Sequence, residues 1–212
     1  MTADTSDHTR AELSAAAHRE WDGHVESVLR GIAHTLNNRA AALSAVIELV
    51  RDPDEDSAIS SILSTELERV SDLVGAIRSM VSTKDRIDAF APADAAAEAM
   101  AILRLHAELG DRRVTIEAGS APPLRVPRWM FVRALVVLGA TAARTVADAK
   151  VLVRAEAEWL VVRTDDASAP SVGPTPYVTE LAHAMGGEPL RTGYGFRVPT
   201  LASLRRREGR EG

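Results

Sequence analysis

The sequence predicts an α+β chain: an N-terminal helical hairpin that pairs with a second copy as a dimeric four-helix bundle, followed by an α/β sandwich. Three observations carry this. Apolar residues recur at helical spacing through two long segments near the start. A short proline-and-acid stretch separates those segments. From residue 88 onward, the text alternates between strand-like and helix-like runs.

Residues 9–50 form the first predicted helix. No proline interrupts them, and Gly23 and Gly31 are their only glycines. Val25, Val28/Leu29, Ile32, Leu36, Leu43, Val46/Ile47 and Val50 fall at intervals of three, four and seven. The segment from Arg51 to Asp56, RDPDED, has turn chemistry, and its acids suit the start of a following helix. Residues 57–83 carry the second stripe: Ile59, Ile62/Leu63, Leu67, Val70, Leu73/Val74, Ile77 and Met80/Val81. A short turn makes the helices antiparallel. A two-helix hairpin cannot bury a continuous stripe alone, and a homodimer does so. The alternative is burial against the chain's own C-terminal half.

In the second half, Asp94 to Leu109 is a predicted alanine-rich helix and Arg112 to Gly119 a strand. Arg128 to Val146 is a strongly apolar helix after a Pro-Pro turn. Lys150 to Glu156 and Glu158 to Thr164 form a predicted hairpin, and a loop runs from Asp165 to Pro176. Tyr177 to Met185 is a helix closed by Gly186-Gly187. A last strand pair spans about Pro189 to Thr200. Adjacent, largely antiparallel strands with helices on one face make the sandwich. The predicted organisation is a flexible terminus at 1–8, a hairpin at 9–84, a second domain at 88–203 and a flexible basic tail at 204–212.

Composition narrows the function. The chain of 212 residues has no cysteine, which removes disulfides, thiolate metal sites and cysteine nucleophiles. Net charge is −5 with mixed signs, so no broad basic surface points to nucleic acid. No apolar run is long enough for a bilayer, and the polar start lacks a signal-peptide core. The expectation is a soluble, cytoplasmic protein without membrane contact. Neither a Walker-type phosphate loop nor a nucleophile elbow is present.

His34 stands out by its angle. At roughly 100° per residue, Ile32, Leu36, Leu43, Ile47 and Val50 fall within roughly 40° of Val25, whereas His34 falls about 180° away. It therefore points to solvent. Asn38 lies one turn on and Arg30 one turn before, on the same face; Asn37 flanks the group. A neutral imidazole is a competent nucleophile toward phosphorus, provided its neighbours orient the ring and the phosphoryl oxygens. By angle and spacing alone, an idle surface histidine fits equally well. His8, His18 and His24 lie in polar text without ligand-like partners, and His106 and His183 lack a metal-like companion.

HTLNNRAAAL, His34 to Leu43, resembles the H-box of histidine kinases, where H-E-L-N-N-P-L or H-D-x-N-N-x-L is usual. The resemblance extends over about 25–201. Pro122 to Ala143 resembles the segment ending in the family's asparagine box, Glu158 to Ser168 stands where D-x-G-x-G stands, and Tyr177 to Leu201 is similar to the closing helix and strands of the ATP-binding domain. The resemblance implies a dimerisation and phosphotransfer hairpin with His34 as phosphoacceptor.

Departures from the pattern reshape the expectation. The Mg²⁺-holding asparagine aligns with Ala142 and the preceding one with Leu138; alanine cannot coordinate a metal. Asp165 stands as a vestige of the adenine-reading aspartate, with Ala167 and Ala169 in place of its glycines. The glycine-rich lid is missing. Thr35 replaces the acid that acts as general base, and Arg39 replaces a kinking proline. The second domain thus resembles a degenerate histidine-kinase-type ATPase-like fold, as in ChpT-type histidine phosphotransferases. That implies phosphorelay between response regulator receivers with ATP binding unlikely, no cofactor of its own, and Mg²⁺ arriving only on the receiver. A divergent sensor histidine kinase, a non-catalytic dimeric scaffold and a receiver phosphatase acting through Asn38 stand as alternatives.

Overall fold

A computed structural model describes residues 3–49, 56–82, 87–165, 174–191 and 193–208. The hairpin turn at 51–55, Ala167 and Ala169 of the loop, and residues 209–212 of the tail lie outside these described residues.

Helix α1 (Ala3–Leu49) and helix α2 (Asp56–Val81) follow the two apolar stripes. The first helix begins at Ala3, so the expected flexible terminus is helical from that residue. Contact near the loop end is an ion-pair junction: Glu66 of α2 receives Arg39 at 2.6 Å and Arg69 at 2.5 Å. Arg39 thus crosses to α2 where the resemblance expects a kinking proline.

Helix α3 (Pro92–Leu103) starts with proline at its first turn, a position whose missing N–H is no loss. It ends earlier than its alanine content predicts. The chain leaves the helix at Arg104 and makes a single 3-10 turn, Ala107–Leu109, which brings Leu105 and His106 against α1. Strand β1 (Arg113–Glu117) leads through a long loop to α4 (Arg128–Thr145). Strands β2 (Asp148–Glu156) and β3 (Trp159–Thr164) form the predicted hairpin, with Ala157 at φ 53° in its turn. Then come α5 (Pro176–Ala184), β4 (Glu188–Pro189), β5 (Gly195–Pro199) and α6 (Leu201–Glu208). The expected basic tail is therefore helical as far as Glu208.

The five strands lie in the order β1-β2-β3-β5-β4. All pairings but one are antiparallel. β1 and β2 run parallel because α4 forms the crossover between them. Alternate residues Ala149, Val151 and Val153 of β2 point inward, as do Leu160 and Val162 of β3 and Phe196 and Val198 of β5. They pack beneath α4, whose run from Phe131 to Ala140 is buried without a break. A helix apolar all round must be buried all round. The sheet covers one side of α4, and α3 and α5 flank it.

The boundary near residue 85 separates text, not packing. The first half of α1 lies on the second domain, where Trp21 stacks on Tyr177 of α5 at 5.4 Å. Arg133 of α4 sits with its guanidinium 4.6 Å from both Trp21 and Trp129, and donates to the Met80 carbonyl at 2.6 Å. One side chain thereby joins α1, α2 and α4. Gly31 completes the seam: a Cβ there would lie 1.8 Å from the Leu105 carbonyl oxygen, so only glycine admits this approach.

No helix among the described residues is long and apolar enough to cross a membrane.

Candidate functional site

His34 is exposed on α1, as its helical angle predicts. Asn38 lies 3.1 Å away, with its amide Nδ2 against the imidazole Nε2. An amide nitrogen only donates, so Nε2 is the acceptor and the ring proton belongs on Nδ1. That bond places the ring's lone pair on Nε2, and Asn38 must give it up for Nε2 to attack phosphorus. Thr35 turns its hydroxyl back onto the Gly31 carbonyl at 2.8 Å and leaves the imidazole alone.

Three other expected site residues are not brought to the ring. Arg30 is ion-paired with Glu26 at 2.8 Å along its own helix. Asn37 is exposed beside the site. Asp165 closes β3 with its backbone N–H on the Lys150 carbonyl at 3.0 Å, in the second domain and away from His34. Its position after the strand is as expected.

His34 lines a shallow groove of about 440 Å³. One wall is α1, with Arg30, Gly31 and Thr35. The other comes from the second domain: Arg104, Leu105, His106, Ala107 and Gly110. The phosphoacceptor candidate is therefore bordered by both halves of the chain, which its sequence neighbourhood does not reveal.

A buried polar chain lies two turns back along α1. His24 Nδ1 is 3.0 Å from His106 Nε2, and Ser27 Oγ is 3.0 Å from His106 Nδ1. The Glu108 N–H donates to Ser27 Oγ at 3.2 Å. The sequence offers neither histidine a ligand-like companion; in the fold each is the other's hydrogen-bond partner, across 82 positions of sequence. The two rings cannot both be cationic, because the His24–His106 contact needs one donor and one acceptor nitrogen. Burial pushes His24 down to about 3, with help from His106 and Arg144. Burial also lowers His106; nearby Glu108 opposes this shift, whereas Arg144 adds to it. Two imidazoles do not make a metal site, and no group of three ligands occurs among the described residues.

Two positions that the resemblance marks lie inside the second domain. Leu138 and Ala142 are fully buried in α4. The start of α5, a place where free N–H groups favour anions, already holds a carboxylate: Glu20 of α1 accepts the Tyr177 N–H at 3.2 Å. Burial raises the Glu20 pKa, against the opposing pull of Thr175, the Tyr177 N–H and Arg144.

No family model matches the chain, and no curated protein matches it by sequence. Solved structures similar to it include a histidine kinase, AdeS, of Acinetobacter baumannii. That match has 11% identity and a TM-score of 0.45 over 79% of this chain and 98% of the kinase chain. A histidine kinase from Burkholderia phymatum matches at 14% identity and TM-score 0.42, over 90% of this chain and 96% of its own. A bacterial phosphotransferase matches at 13% and 0.39, over 81% and 93%.

Proposed function

We propose that the chain is a histidine phosphotransfer protein of a two-component phosphorelay. His34 accepts a phosphoryl group from the phospho-aspartate of one receiver and passes it to another response regulator, without ATP. The observation that carries this reading is the exposed His34 imidazole with its Nε2 lone pair selected by Asn38.

In the forward step, Nε2 attacks phosphorus and forms the P–N bond. The P–O bond to the aspartyl carboxyl breaks, and the carboxylate leaves with its electron pair. The Nδ1 proton then passes to water. This transfer needs no acid beside the ring, so Thr35 is no handicap. Mg²⁺ is supplied on the receiver. Support for the absence of ATP chemistry comes from Ala142 and Leu138 within α4 and from Glu20 at the head of α5. These features fit a ChpT-type phosphotransferase better than an autophosphorylating kinase.

The same reading includes a homodimer. Within one chain, Leu36, Ile62, Leu63 and Val74 remain exposed, and Leu67 is 73% exposed. A second copy of the hairpin covers such a stripe as a four-helix bundle.

Incubation with radiolabelled phospho-receivers tests the proposal. Acid-labile, alkali-stable label is expected on the wild type and none on His34→Ala. Radiolabelled ATP alone is expected to give none. Label persisting on His34→Ala refutes the reading.

A further inference from the structure

We infer that Arg104, supplied by the second domain, binds the phosphoryl oxygens transferred at His34. This rests on the reading of His34 as phosphoacceptor and adds a residue that the H-box does not contain.

Position is the first argument. Arg104 and His34 line the same groove from opposite walls. The backbone at Arg104 is fixed: its N–H caps α3 by donating to the Met100 carbonyl at 3.1 Å. The next residue, Leu105, is the one pressed against Gly31. Gly31 precedes His34 by three residues, roughly 4.5 Å along the helix axis. The root of the arginine is thus held beside the histidine by a contact that allows no Cβ between them.

Elimination is the second argument. Four arginines border this face. Arg30 is occupied by Glu26, and Arg39 and Arg69 are occupied by Glu66. Arg104 is exposed, and no carboxylate pairs with it among the described residues. It also borders the groove that holds Thr35, Arg39 and Arg69. A guanidinium with a fixed root and a free fork matches a phosphoryl group, whose oxygens it meets through two parallel N–H bonds. Charge gathers on those oxygens as the group moves between carboxylate and imidazole, and a positioned cation stabilises that charge. Asn38 chooses the attacking nitrogen; Arg104 holds the arriving group.

The full-length chain can be tested without knowing its partner. Potassium phosphoramidate serves as the donor: its P–N bond breaks, ammonia leaves, and the phosphoryl group bonds to Nε2. Phosphorus NMR follows phosphohistidine formation in wild type, Arg104→Gln, Arg104→Lys and His34→Ala, with melting curves alongside. Arg104→Gln should slow labelling about tenfold, the worth of one charge-assisted hydrogen bond. Arg104→Lys should recover part of the rate, and neither change should move the melting midpoint. Wild-type labelling of His34 with an equal rate in Arg104→Gln overturns the assignment of Arg104 alone. Absence of label on wild-type His34 overturns the phosphoacceptor reading, and this inference with it.

Discussion

Acidification should loosen the seam between α1 and the second domain by an amount that His24 sets. In the folded chain, His24 takes a proton only near pH 3; in the unfolded chain it does so near 6.5. Between those values the unfolded state binds more protons, so stability falls as pH falls. Near pH 7.5 the penalty from this ring is negligible. Near pH 5.5 it is about 1.4 kcal/mol, from RT ln(1 + 10). His106 shifts in the same direction and adds to the loss. Urea unfolding at both pH values, in wild type and His24→Gln, isolates the contribution. The variant should lose about 1.4 kcal/mol less than wild type on acidification. The protection factor of the Leu109 amide, which bonds the His106 carbonyl at 3.0 Å, should fall in parallel once exchange rates are corrected for pH. Equal losses in the two proteins would refute the argument, because the buried ring would then not be the group that titrates.

Three further outcomes follow from local geometry. Gly31→Ala replaces a poor helix former with the best one, yet its Cβ would lie 1.8 Å from the Leu105 oxygen; a net loss of about 1–3 kcal/mol in urea unfolding is expected, and a gain contradicts the contact. Ala157→Gly relieves a left-handed φ of 53° in the β2–β3 turn and should stabilise by about 0.5–1 kcal/mol, read as a higher melting midpoint. Leu67→Glu places a charge on the exposed apolar stripe, leaves the fold of one chain intact by circular dichroism, and should convert a dimer to a monomer in light scattering. A wild type that is already monomeric in light scattering removes the dimer from the proposed function.

Much of the helical layer was legible because a 3.6-residue period survives in the text. The stripe from Val25 to Leu43 sets α1, and the same angular count places His34 on the exposed face. The β2–β3 hairpin and the Gly186 close of α5 are equally local. What escaped depends on distance along the chain. His24 and His106 look solitary because 82 positions separate them. Gly31 looks like a weak point in a helix until the Leu105 carbonyl lies against it. Alanine content predicts α3 through Leu109, but the contact with α1 draws residues 104–106 out of the helix. Parallel pairing of β1 with β2 follows from where α4 crosses, which no strand pattern encodes. The groove wall opposite His34 was invisible for the same reason.

The Arg133 junction has a practical consequence for anyone dividing this chain. A cut between residues 84 and 88 looks natural in the text, yet it would strand the guanidinium on one fragment and Trp21 and the Met80 carbonyl on the other. The hairpin fragment would carry bare Val28 and Ile32, both buried in the intact chain. The partner fragment would lose the cover over Tyr177. The shared seam couples the two cores, so the two halves should melt together in a single transition. Helix α1 serves both halves, so a substitution on its face is made against α2 and α5 at once.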